Sequence, residues 1–477
     1  MKNITYLSLI IAIIIGSCIQ KTNTNKTTNV YHRTNIAILQ KFSQYPIVAV
    51  DDGQHQSVLG NQWLKTLIGE NEFPEIVKNI VVEFGTSKYQ WVMDDFVNGK
   101  EVPDSLFKKC WRETTQQLIW DNPVYEQIFR EVREINLGLP KERRIRVLLG
   151  DPPFDEERKS KGRDTNAFSV IEKEVLAKNQ KALVIYGSMH FESKLMELNY
   201  PPISETPKRF LTLFQLLELK YPNKTFNIWN GVNTNDSLTL AIIKNEQITK
   251  PAFLISSQTQ LGNVDFTTYY PYDYSRVDTT LKPIDKSEYK KMAIKDIFFG
   301  ILYLGSWEEL NYVDPLPDYI LDDTVYLDEL IRRATIVKYT SRLEYLLYQK
   351  LKRSNEFLQF VDALQKGDTS LINSEYKTLK KRHPDINWMS TINTMGYDFL
   401  EQKQMKKAIS AFELAVREYP DEVDFYDSLG DGYAANGEIN KAIISYEEVI
   451  RRDSDYIKMD ANYIPTKTKL AKLRTSI

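Results

Sequence analysis

The chain has 477 residues and a mass of 55.6 kDa, a length that corresponds to about three domains. Hydrophobic residues make up 42% and charged residues 26%, the profile of a folded globular protein and not of a disordered one. Lys and Arg total 62 against 64 Asp and Glu, and the resulting net charge of −2 argues against nucleic acid or another polyanion as a partner. Two cysteines, Cys18 and Cys110, exclude a disulfide framework and a Cys-rich zinc or iron–sulfur site, and four histidines leave few candidates for imidazole chemistry.

The first 18 residues, MKNITYLSLIIAIIIGSC, place Lys2 ahead of an apolar stretch at 7–15 and small residues ahead of a cysteine. That is the plan of a secretory signal, and it is short for a membrane span. Its end, Ile15-Gly16-Ser17-Cys18, resembles a bacterial lipobox. The resemblance implies cleavage before Cys18, lipidation of that cysteine and anchoring of an exported chain to a bacterial membrane in the cell envelope. An uncleaved anchor or an ordinary signal is the alternative. Residues 19–35 are rich in Thr, Asn and Lys without an apolar period, which predicts a flexible tether with His32 in solvent.

Over 36–340, short apolar runs alternate with longer helical patterns, which predicts an α/β domain with a mainly parallel sheet flanked by helices. Strands are expected at 46–50, 80–83, 145–149, 182–186, 226–229, 252–255 and 297–304. Helices are expected at 58–67, 87–97, 104–118, 124–135, 166–178 and 208–219. Polar residues collect where the first four strands end: Asp51-Asp52-Gly53-Gln54-His55, Glu83-Phe84-Gly85, Gly150-Asp151-Pro152-Pro153 and Gly187-Ser188-Met189-His190. Parallel sheets bind ligands outside the carboxyl ends of their strands, so these groups are expected on one rim. Glu83 lies among Val81, Val82 and Phe84, and a carboxylate so placed needs a cationic, metal or histidine partner. Singly, each has a plainer reading: a structural histidine, a strand cap, an Asp-Pro turn, or Asp164 as a helix N-cap. Cys110 beside Trp111 reads as an inert packed thiol, and no Gly-x-Ser-x-Gly elbow supports a serine nucleophile.

The order of His55, Glu83, Arg163-Asp164 and Gly187-Ser188-Met189-His190 resembles the superfamily that contains erythromycin esterases, ChaN haem-uptake lipoproteins and Tiki/TraB proteins. Residues 89–99 also resemble the helix that follows the glutamate in those families. Recognisable motifs cover 45–195. The sequence departs from the erythromycin-esterase pattern in carrying Asp51-Asp52 ahead of the first histidine, and from the Tiki pattern in the short Gly53-Gln54-His55. The resemblance implies hydrolysis of an ester or peptide bond with His55, Glu83, His190, Arg163 and Asp151 as catalytic residues, by one of two chemistries. In one, a histidine acts as general base on water, Glu83 orients it and Arg163 stabilises the oxyanion. In the other, His55, His190, Glu83 and Asp52 hold a divalent ion such as manganese, cobalt, zinc or iron. The ChaN side of the resemblance implies haem or another ligand bound without turnover.

The segment 267–276 packs four tyrosines into six positions and reads either as an aromatic wall over the rim or as a self-packed loop. Beyond residue 340 the chain turns helical, with a connector at 341–388 and His383 in a basic, solvent-facing turn. Then Gly396, Phe399, Ala408, Phe412 and Ala415 recur 34 residues later as Gly430, Tyr433, Ala442, Tyr446 and Val449. That period is the tetratricopeptide signature, and it predicts an all-α repeat module over 389–477 with a C-terminal cap at 466–473. The expected partners are a small-molecule or peptide substrate at the rim, a protein or peptide on the repeats, and a membrane through the lipid. A repeat scaffold whose α/β domain has lost its activity is the third functional class.

Overall fold

The protein is described by a computed structural model over residues 30–116, 118–156, 162–193, 211–266, 292–313, 315–454, 456 and 464–475. The signal, Cys18 and the tyrosine-rich segment 267–276 lie outside the described residues. Continuous apolar runs form the strands β1 Ile47–Asp51, β2 Asn79–Thr86, β3 Arg146–Asp151, β4 Ala182–Tyr186, β5 Thr225–Trp229, β6 Ala252–Ile255 and β7 Gly300–Tyr303. They make one sheet in the order β3-β2-β4-β1-β5-β7-β6, parallel throughout except for β6 against β7.

The strands read as unbroken apolar runs because both faces of the sheet are covered. Val48, Val50, Ile80 and Val82 enter a core beneath the helices Val58–Ile68, Gln90–Val97 and Pro123–Leu137. Ile47, Ala49 and Val81 point the other way, against Ala167 and Ile171 of the helix Arg163–Glu174 and Leu213 and Leu217 of Leu213–Lys220. Cys110 is packed in the first core, where burial pushes its thiol up to about 12.

Several expectations are corrected. The tether does not extend to residue 35: the helix His32–Leu39 occupies its end. There Asn35 is buried with its amide donating to Glu70 at 2.8 Å, and His32, exposed to solvent as expected, also bonds that carboxylate through Nδ1 at 2.8 Å. The helix expected at 104–118 is two short helices, Asp104–Phe107 and Lys109–Arg112, and the chain beyond them turns at Leu118, which has a left-handed φ of 65°. The front of the expected strand 297–304 is a helical turn, Ile294–Ile297. His383 is half-buried, with its carbonyl accepting the Trp388 indole N–H at 3.1 Å.

The helical region begins earlier than expected, with Asp318–Asp322 and Thr324–Val337, and continues through Thr340–Lys352, Asn355–Lys366 and Thr369–Arg382. The repeats are the pairs Trp388–Glu401 with Met405–Glu418 and Val423–Ala435 with Ile439–Arg452. The last helix, Thr466–Arg474, docks on the second pair through Lys469, which reaches Asp427 at 2.9 Å and Asp431 at 2.7 Å. Among the described residues no helix is long and apolar enough to cross a membrane.

The 34-residue period has a steric origin. A Cβ on Gly396 would lie 2.2 Å from the Phe412 ring, and one on Gly430 would lie 2.3 Å from the Tyr446 ring. Each glycine lets a helix lie flat on the aromatic ring of its partner. Glycine-to-alanine in a helix interior ordinarily gains about 1 kcal/mol. Gly430→Ala is expected instead to destabilise the protein by about 1–3 kcal/mol through overpacking. Urea denaturation followed by circular dichroism measures the sign.

Candidate active site

The sheet order places β3, β2, β4 and β1 side by side, so the four strand ends that carry polar motifs form one continuous edge. At about 4.8 Å per strand this edge spans roughly 14 Å. Sequence order alone does not give this adjacency, since β4 inserts between β2 and β1.

Glu83, in the second half of β2, which runs on past the expected end to Thr86, is 1% exposed and is the hub of the site. Its Oε1 accepts from the Arg163 guanidinium and faces His190 Nε2 at 3.4 Å, while Oε2 accepts the Gly187 backbone N–H at 2.8 Å. Burial alone would raise its pKa, but His190 and Arg163 outweigh burial and hold the carboxyl well below the usual range. Arg163 also donates Nε to Asp151 at 3.0 Å. Asp151 is fully buried at the end of β3, and burial pushes it up to about 7 in spite of that arginine, with the charge of Glu83 adding to the rise.

His190 stands on the turn after β4. Its Nδ1 bonds Asp164 at 2.8 Å, and its ring packs edge-on against Tyr186. Burial opposes its charge, yet Asp164 and Glu83 together raise its pKa to about 10. His55 stands on the loop after β1, with Nδ1 bonded to Asp52 at 2.9 Å and the ring edge-on to Trp120. Here too burial opposes the charge, and Asp52 prevails with help from Glu83 and Asp51, so the pKa rises to about 9. Gly187 sits beneath both groups: a Cβ there would lie 3.2 Å from His55 Cε1 and 3.8 Å from Glu83 Oε2. Any side chain at 187 would separate the histidine from the glutamate.

The structure therefore brings His55, Glu83, His190, Arg163, Asp151 and Asp52 into one cluster. The two imidazoles differ in availability. His190 has both nitrogens engaged by carboxylates, whereas Nε2 of His55 makes no hydrogen bond to another described residue and its side chain is 34% exposed. Arg163 is bound to two buried carboxylates, so its first role is to neutralise them, not to wait free for an oxyanion. Among the described residues no three His, Cys, Asp or Glu are grouped to hold a metal ion. Glu83 directs both oxygens at donors, Arg163 and the Gly187 N–H.

Sequence reasoning passed over two groups. Asp51 is buried at the end of β1, where it accepts from Gly53 N at 3.0 Å and Asn230 N at 3.1 Å, and burial next to Asp52 pushes it up to about 7. Asp164 is not an N-cap, since Gly162 holds that place. It accepts from Leu213 N at 2.8 Å and positions His190. The pairing of Asp164 with Arg163 in the sequence was the available signal, but only the fold shows which histidine it meets.

No family model matches the chain. A curated relative, the tetratricopeptide repeat domain-containing protein PYG7, chloroplastic, of Arabidopsis thaliana, is 27% identical over 129 residues, which take in 24% of this chain and 38% of that protein. The chain thus spans well under half the length of this relative, and the similarity supports the repeats alone. A crystal structure of a Bacillus cereus protein is similar at 11% identity and a TM-score of 0.34, covering 58% of this chain and 92% of that one. A succinoglycan biosynthesis protein is similar at 8% identity and a TM-score of 0.36, covering 57% and 90%. Likenesses this distant carry no argument about activity.

The raised histidine pKa values set a pH dependence of stability. An imidazole that binds its proton more tightly when folded contributes stability that is complete below the unfolded pKa of about 6.5. That contribution is lost as pH rises through about 9 for His55 and about 10 for His190. Denaturation midpoints are expected to fall between pH 7.5 and 10, above the range where Asp51 and Asp151 titrate. A His55→Ala/His190→Ala double variant is expected to show a shallower fall.

Proposed function

We propose that this chain is an exported, lipid-anchored hydrolase of ester or peptide bonds, of the erythromycin-esterase, ChaN and Tiki type, with a tetratricopeptide-type module for docking a protein or peptide. The observation that carries the reading is the Asp52–His55 pair, which leaves Nε2 of His55 at the rim beside the Glu83–Arg163–His190 cluster.

In this reading the neutral form of His55 takes a proton from water as the water oxygen bonds to the substrate carbonyl. Asp52, accepting from Nδ1, stabilises the imidazolium that forms. The proton then passes from Nε2 to the departing alkoxide or amine, so that water is consumed and an acid and an alcohol or amine are released. His190 and Arg163, both paired with carboxylates, balance the negative charge behind the reacting groups. Glu83 holds both of them and, through the Gly187 N–H, the loop beneath His55. No step requires a metal.

The test is the pH dependence of kcat/KM on a panel of activated esters and short peptides, using the chain from Ile19 onward. Activity is expected to rise with pH to a plateau above about 9, set by His55. His55→Ala is expected to lower kcat/KM by about 10²-fold or more. Asp52→Asn is expected to move the rising limb to lower pH, because it removes the carboxylate that keeps His55 protonated. Full activity in His55→Ala and His190→Ala would refute the assignment. A Soret band on the purified chain, lost in the same variants, would replace hydrolysis with haem binding. Anchoring is tested separately, by fatty-acid labelling in cells that is expected to vanish in Cys18→Ser.

The repeats support a second reading, a scaffold whose α/β domain has no turnover. Partner capture that needs only the repeats, with no ligand at the rim, is its expected signature.

A further inference from the structure

Next to the histidine cluster, at the carboxyl ends of β1 and β5, a crevice of about 150 Å³ opens. This is where the chain changes direction across the sheet: β2, β3 and β4 all lie on one side of β1, and β5 starts the other side. Crevices at such switch points are the usual ligand sites of open α/β sheets. The crevice is continuous with the proposed active site, because Gln54 and Ser188 line it and are neighbours of His55 and within the turn that carries His190.

Its walls combine two chemistries. Trp229, Phe266 and Trp307 supply aromatic surface, and Gln54, Asn230 and Asn311 supply carboxamides. Among the described residues the one ionisable lining group, Asp51, already accepts from two backbone N–H groups, and the described lining offers no cation to an anionic ligand.

Asn230 points to a ligand. It is 1% exposed, yet neither its Oδ1 nor its Nδ2 has a hydrogen-bond partner among the described residues. Its amide nitrogen lies over Gly53, 3.1 Å from where a Cβ would stand, and Gly53 also lines the crevice. A buried carboxamide left unpaired loses its hydration with nothing in return. Behind Asn230 a void of about 10 Å³ has room for one water at most. A single water meets only part of the demand of a group with two donors and a two-lone-pair acceptor. A ligand that both donates and accepts satisfies the rest.

We propose that this crevice is a subsite for a neutral, hydroxyl-rich ring, the sugar portion of the substrate, held by stacking on its aromatic walls and by hydrogen bonds to Asn230. As a statement about substrate it rests on the hydrolase reading above, but binding of the ring is measurable without turnover. A hydroxyl both donates and accepts, as the Asn230 amide requires, and the C–H face of a pyranose supplies the apolar surface that the aromatic wall needs. An acylated sugar bound there would present its ester toward His55.

The test uses saturation-transfer NMR and calorimetric titration of the full soluble chain with methyl glucoside, methyl N-acetylglucosaminide and glucuronate. The two neutral glycosides are expected to bind and glucuronate to bind at least tenfold more weakly. Asn230→Ala and Trp307→Ala are each expected to weaken neutral-glycoside binding at least tenfold. Trp307 is half-buried at the mouth and Gln54 is exposed, so Trp307→Ala and Gln54→Ala keep the test open should Asn230→Ala fail to fold. Absence of neutral-glycoside binding, or binding unchanged in Trp307→Ala and Gln54→Ala, overturns the proposal. Glycoside binding in a chain that hydrolyses no ester or peptide would leave the subsite standing and remove the hydrolase reading.

Discussion

Two carboxylates with almost no exposure, Glu83 and Asp151, share one guanidinium, and the site depends on that arrangement. Taking charges out of water is costly, and a buried ion whose partner is removed typically costs 3–5 kcal/mol. Arg163 offsets this for both carboxylates at once by presenting Nη2 to one and Nε to the other. It can do so because it opens the helix that follows β3 and so stands over the ends of β2 and β3. Glu83, held in place, then fixes Gly187 and His190 from β4, and Asp164 in the next turn of chain fixes His190 from the other side. A single half-buried cation thereby ties together residues from β2, β3 and the turn after β4.

The cluster has a consequence for proton chemistry. Surrounded by carboxylates, both histidines hold their protons more tightly than free imidazole, while Asp51 and Asp151 give theirs up less readily. Strongly perturbed groups of this kind cluster at functional sites. Within the cluster His55 differs from the rest, since it alone has one nitrogen held and the other at the rim. The crevice lined by Asn230 and Trp307 adjoins that rim at the switch point of the sheet, where chemistry and recognition can act on one molecule.

The repeat module is built on a different principle. Its helices share an apolar core, with Phe412 and Tyr446 filling the space above the two glycines, and tyrosine hydroxyls such as Tyr433 to Glu413 and Tyr446 to Asp431 tie one helix to the next. Charge enters where stacking ends, at Lys469 against Asp427 and Asp431, so that the last pair of helices is closed by a helix carrying its own cation.

The strands and most helices were legible because a doubly covered sheet writes itself as short apolar runs, and β4 and β6 match their expected bounds at both ends. The repeat was legible for a related reason: a ring packed on a glycine leaves the same residue pair at the same spacing each time. The clustering of His55, Glu83, Asp151, Arg163 and His190 could be inferred from strand-end position, a local property. Their partners could not. Asp52 meets His55 within one loop, three residues apart, but that Asp164 meets His190 and Arg163 takes both Glu83 and Asp151 depends on how β2, β3 and β4 lie side by side. The end of the expected tether became a helix because Glu70, far along the chain, supplies partners for His32 and Asn35. The sequence by itself determined which residues would be buried, which would repeat and which rim would be polar, since these follow from local periodicity and burial. Only the tertiary structure decided which charges pair, which imidazole is left with a free nitrogen and which amide is left unsatisfied, because those outcomes depend on distances between strands that the order of residues does not encode.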